Sequence, residues 1–142
     1  MSRGMESSPH RIHLAEGAKK TANIENLIDH AHSSGSIVYA VGVRGEIADR
    51  LNRDTGVAEV SETAAEHVAL AAKAVEEARS RKTANADSEL AQLLLVVHDL
   101  PAVESELKSA PDGAELLASF ERDLSLLMRE CRELNMRVLL SI

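Results

Sequence analysis

The sequence predicts an α/β domain: a three-layer open sheet of about five mostly parallel strands with helices on both faces. Three observations carry that expectation. Continuous apolar runs recur at residues 37–43, 93–97 and 138–140, and a run without polar alternation reads as a strand covered on both sides. Stretches with apolar residues at three- and four-residue steps lie between those runs, as amphipathic helices require. The hydrophobic fraction of 44% is aliphatic, with one Tyr, one Phe and no Trp, which suits strands packed between helices.

The elements follow in order. Residues 1–9 are polar, end on Ser7, Ser8 and Pro9, and are expected to form a disordered N-terminal segment, leaving residues 10–142 as a single α/β domain. Residues 11–15 alternate apolar and polar as a short first strand, broken at Glu16-Gly17. Ile24, Leu27, Ile28 and Ala31 give the next segment, 23–31, one apolar helical face. After a turn at 33–36 comes the β-branched run 37–43, then Arg44-Gly45 and a short helix over 46–52 with Ile47 and Leu51 facing inward. Residues 57–60 read as an edge strand.

Ser61 or Thr63 is expected to cap a helix running to about Arg79, Thr63 standing at capping-box spacing from Glu66, with Val68, Ala72 and Val75 as its stripe. Its last turn carries Arg79, Arg81 and Lys82, read as a solvated helix end where positive charge complements the macrodipole. A polar loop over 83–89 leads to a strand over 90–97, which Leu100-Pro101 is expected to stop. Residues 102–113 read as a connector with one helical turn. Asp112, with Glu115 three residues on, is expected to cap a long helix whose face is Leu117, Phe120, Leu124, Leu127, Cys131 and Leu134. Asn135 closes it, and 137–142 form the last strand.

Composition excludes several function classes. A net charge of −7 repels a phosphate backbone, and with one Tyr and one Phe the chain is too poor in aromatic rings for the stacking platforms of single-strand binding, so direct nucleic-acid binding by the isolated chain is not expected. No apolar stretch approaches the ~20 residues of a membrane span, and residues 1–9 lack the apolar run of a signal peptide. One cysteine, Cys131, allows no internal disulfide and falls on an apolar helix face, where a buried inert thiol is expected. The expected location is cytoplasmic.

In parallel sheets, ligands gather at the carboxyl ends of strands. Four strand ends qualify here: Glu16-Gly17, Val43-Arg44-Gly45, His98-Asp99-Leu100 and whatever follows Ile142. Asp99 ends an aliphatic run, the form of a strand whose carboxylate acts on Mg²⁺; a helix-capping aspartate is the alternative. A phosphate-binding loop needs glycines, so that successive backbone N–H groups wrap the phosphates, followed by Lys and Ser/Thr. Residues 16–23 offer Gly17 and then Lys20-Thr21, either a remnant of that pair or an ordinary helix start. The six histidines, His10, His13, His30, His32, His67 and His98, lack zinc-like spacing and read as surface or loop residues. Neither a nucleophile elbow nor a dinucleotide fingerprint occurs.

The order of elements, with residues 37–46 ending in Val43-Arg44-Gly45-Glu46, 75–81 carrying Glu76, Glu77, Arg79 and Arg81, 94–99 ending in Asp99, and 127–141 carrying Arg129, Arg132 and Arg137, resembles FtsK/SpoIIIE-type motor ATPases, which pump DNA, and their type VII secretion relatives. The resemblance implies a P-loop NTPase-like fold, ATP and Mg²⁺ as cofactors, Gly17, Lys20 and Thr21 on nucleotide, and Asp99 on the metal. The departures are specific. One glycine replaces the glycine-rich loop, Leu100 stands where the family has its catalytic glutamate, and Ile142 ends the chain where a sensor glutamine would follow. The expectation is therefore a degenerate, non-hydrolysing domain with no catalytic residue, acting through a protein partner or self-association. An ATP/Mg-binding translocase or secretion domain, and an unrelated doubly wound regulatory domain, remain alternatives. For the last, the strands ending at Leu14 and Val97 should not be neighbours.

Overall fold

The computed structural model describes the backbone of residues 10–12, 18–54, 58–83 and 91–141, and side chains over 24–51, 58–83 and 91–141. Five strands make one wholly parallel sheet in the order β1-β5-β4-β2-β3. They are β1 (His10–Ile12), β2 (Ile37–Val41), β3 (Glu59–Ser61), β4 (Leu93–Val97) and β5 (Met136–Ser141). The helices are α1 (Ala18–Ser33), the single turn α2 (Gly45–Ala48) running into a π turn (Asp49–Asp54), α3 (Ala64–Thr83), α4 (Leu100–Ser109) and α5 (Gly113–Glu130), the last tightening into a 3₁₀ turn (Cys131–Leu134).

The topology follows from one rule of handedness. From β1 to β2 to β3 the chain moves across the sheet one way, and α1, Ala48 and Leu51 cover one face. From β3 to β4 to β5 it moves back, and α3, α4 and α5 cover the other. Reversing direction while keeping one crossover hand forces that change of face. The strands supply both layers because successive side chains point to opposite sides. Leu93, Leu95 and Val97 join Val138 and Leu140 against Phe120, Leu124 and Leu127, whereas Leu94, Val96 and Leu139 meet Ile24 and Ile28. Every residue of β4 is buried, as its unbroken aliphatic run requires.

The Thr63 capping box forms: Thr63 Oγ1 accepts from the Glu66 N–H, and Glu66 Oε1 accepts from the Thr63 and Glu62 N–H groups. Asn135 ends the 3₁₀ turn in the left-handed conformation, at φ 56°. Residues 57–60 were expected as an edge strand, and β3 is an edge.

Several expectations need correction. The strand stops at Val97, before Leu100-Pro101 as expected, but that pair also opens α4, because proline lacks only an N–H that a first helical turn leaves unpaired anyway. The stretch 102–113 is therefore mostly helix. Asp112 precedes α5 but makes no side-chain cap bond. The buried face of α3 is His67, Leu70, Ala71, Ala74, Val75, Ala78 and Arg81, so Val68 and Ala72 lie at its margin. Arg81 is not solvated: it is 2% exposed. The expectations for residues 1–9, for 13–17, for most of the 83–89 loop and for Ile142 lie outside the described residues.

Candidate functional site

Parallel strands place all their carboxyl ends on one edge. A cavity of about 250 Å³ opens at the ends of β2 and β4, lined by Ile24, Gly42, Arg44, His98, Asp99 and Ala102 among others. Ile24 comes from α1, whose N-terminus must lie at this edge because it follows the end of β1.

The floor depends on Gly42. Its φ is +87°, a region L side chains rarely adopt, and a Cβ there would come within 2.8 Å of both the His98 carbonyl oxygen and Val103 Cγ2. Glycine thus lets the end of β2 lie against the β4–α4 junction, where the His98 N–H donates to the Val41 carbonyl at 2.8 Å. Asp99 is the N-cap of α4. It also sits in the left-handed region, at φ 57°, and its carboxylate accepts from the Ala102 N–H at 3.4 Å. Both roles favour a short polar side chain.

Arg44 enters from the turn after β2. Its Nη1 and Nη2 both donate to the Glu106 carboxylate of α4, each at 2.5 Å, and Nη1 also donates to the Glu62 carbonyl. The ion pair raises the arginine's pKa, with Asp99 a smaller contributor, and holds Glu106 down at about 2. The second hydrogen bond lowering Glu106 comes from His67 Nε2 of α3, 2.7 Å away. His67 Nδ1 is 2.8 Å from Ser61 Oγ, at the end of β3. An ionised carboxylate can only accept, so His67 Nε2 carries a proton; in the neutral ring Nδ1 then accepts from the Ser61 hydroxyl. His67 and Ser61 are 0% and 1% exposed, so the hydroxyl is a buried strut and no accessible nucleophile.

Asp99 stands at the cavity, as a strand-end site requires. Lys20 and Thr21 fall in the first turn of α1, with Ile24 one turn further on, while Gly17 lies outside the described residues. His30 and His32 are exposed, and His98 is half-buried at the cavity; the reading of His67 as a surface residue is overturned by its burial. No group of three metal-ligating side chains occurs among the described residues. The sequence reading leaves out Glu106 altogether and places Arg44 only in a strand-end turn, His67 only among the histidines and Ser61 only as a helix cap. The sequence signal existed, a histidine on the apolar face of α3, but its partner Glu106 lies on a helix the sequence did not reveal.

No protein-family profile and no curated protein sequence matches the chain. Solved structures do. The chain is similar to the pCW3 conjugation coupling protein TcpA, determined as a monomer with ATPγS, with a TM-score of 0.71 and 16% identity over 96% of this chain. It is similar also to the cytoplasmic domain of EssC, with a TM-score of 0.56 and 16% identity over 99% of this chain. It spans 43% of the first and 28% of the second. The strands β1 and β4 are separated by β5, the order expected of an unrelated doubly wound domain. The chain shares the α/β fold of these two structures.

Proposed function

We propose that this chain is a catalytically degenerate motor-ATPase-fold domain. It holds a phosphate-bearing ligand at its strand ends without hydrolysing it, and acts by contact with a companion motor subunit or a second copy of itself. The junction of β4 and α4 carries this reading. Asp99 is engaged as the cap of α4, and the next residue is Leu100, which cannot take a proton from water. Asp99 is the one carboxylate among the described residues lining the cavity, and Glu106 is bound to Arg44 and His67.

The residues fit part of a Mg²⁺–nucleotide. Asp99 is a suitable metal-side carboxylate, Arg44 a suitable phosphate-side cation, and Lys20 and Thr21 stand in the first turn of a helix opening at the same edge. The cavity of about 250 Å³ takes the phosphate end rather than a whole nucleotide. TcpA was determined with ATPγS, which fits this ligand class. Contact with a partner is supported by the outer strands β1 and β3, each of which pairs on one side only among the described residues.

Isothermal titration with Mg²⁺–ATP tests the ligand half, with Asp99→Asn and Lys20→Ala run beside the parent. Asparagine keeps the cap and tolerates the left-handed backbone, so the variant removes charge alone. Saturable binding weakened by both substitutions is expected. Absence of heat at high micromolar protein contradicts a ligand site and leaves only a scaffold.

A further inference from the structure

The relay running inward from Arg44 is more elaborate than a surface ion pair needs. Exposed Arg–Glu pairs contribute little and usually move freely. Here Glu106 is tied to a histidine of zero exposure, and that histidine to a buried serine on another element. Four elements thus fix one guanidinium at the mouth of the cavity: the turn after β2, the end of β3, α3 and α4.

The hydrogen-bond count shows what remains of it. The end-on pair of N–H groups, one from each Nη, meets the Glu106 carboxylate, and the outer N–H of Nη1 meets the Glu62 carbonyl. The side-on edge, Nε–H with the outer N–H of Nη2, meets no acceptor among the described residues. That edge is a two-pronged donor of the spacing that suits a phosphate or carboxylate, on a side chain still 42% exposed.

We propose that Arg44 is an oxyanion contact of the strand-end cavity, held ready by the positioning residues Glu106, His67 and Ser61, and that it takes a phosphate of the ligand on its side-on edge. This rests on the reading of the cavity as a phosphate-ligand site and adds the residue that recognises the anion. Fixing the fork beforehand removes the cost of ordering a long side chain when the ligand arrives.

The probe is inorganic triphosphate, titrated calorimetrically with and without Mg²⁺ into the full chain. Arg44→Ala should weaken binding roughly ten-fold or more, and Arg44→Lys nearly as much, because a point charge cannot replace a fork. His67→Gln should weaken binding about three-fold in the parent, and not at all when Arg44 is already alanine. Glu106→Gln serves the same comparison if the His67 variant does not fold, and thermal unfolding of each variant separates lost structure from lost aim. Binding indifferent to Arg44 yet dependent on Mg²⁺ and Asp99 overturns this proposal and spares the nucleotide reading. Binding that needs Arg44 but ignores Mg²⁺ and Asp99 does the reverse. Equal losses from His67→Gln in both backgrounds overturn the relay, and no binding by the parent overturns both readings.

Discussion

The Arg81 guanidinium donates to the Leu134 carbonyl oxygen at 2.9 Å, joining the last turn of α3 to the 3₁₀ turn that precedes β5. The same side chain reaches the Asn135 carbonyl at 3.1 Å, the Ala91 carbonyl at 2.7 Å and the Glu77 carboxylate at 2.8 Å. One cation thus satisfies three backbone carbonyls where two chain segments enter the sheet. Arg81→Ala removes a donor from all three, leaving the Asn135 carbonyl its bond from the Leu93 N–H, and strands the Glu77 carboxylate; it should cost about 3 kcal/mol of stability. Arg79→Ala, two residues earlier and exposed, should cost under about 0.5 kcal/mol. Urea unfolding of the pair checks the contrast.

Gly42→Ala should destabilise by about 2–3 kcal/mol, because it adds a left-handed penalty to close contacts at 2.8 Å with the His98 carbonyl and Val103. Since those contacts border Asp99, the variant should also lose ligand affinity. Gly35→Ala is the control: its φ is also positive, at 90°, but a Cβ there meets nothing within 4 Å. It should lose only the conformational part and leave affinity intact.

Glu106 gives the fold an acid limit. Arg44 and then His67 depress its pKa from 4.5 to about 2, so its stabilising contribution is complete above the unfolded value and disappears as pH falls from 4.5 towards 2. Comparing parent and Glu106→Gln by thermal unfolding should therefore show a gap in stability at pH 6 that narrows steadily through that window. A gap that stays constant down to pH 2 contradicts the assignment.

Cys131 offers a readout of integrity. Burial pushes its thiol pKa up, and its side chain packs in the α3/α5 layer. An aromatic disulfide reagent at pH 8 should modify it only as fast as the fold opens, and promptly in 6 M urea. Prompt reaction in the native protein contradicts that burial.

The layers of this fold were legible in the sequence, and the site only in part. Buried parallel strands have no polar alternation to obscure them, so 37–41 and 93–97 stand out, and long helices such as α5 advertise themselves by periodicity. Helix α4 was hidden because its proline looked like a terminator, although Asp99 with Pro101 is also a helix opening. Losing α4 removed Glu106 from view, and with it the reason for a histidine on the buried face of α3. The relay is a property of tertiary neighbours separated by 6, 39 and 62 positions, and no local pattern records it. Asp99 was found because strand ends are where parallel sheets bind ligands.

The central claim, a motor fold that holds phosphate but does not hydrolyse it, is tested most directly by measuring inorganic phosphate released from Mg²⁺–ATP by the purified chain, parent against Asp99→Asn. The account predicts release no faster than in buffer for both proteins. Turnover by the parent that Asp99→Asn abolishes would contradict it, because a catalytic water would then be activated at a strand end where Leu100 follows Asp99 and offers no carboxylate to take its proton.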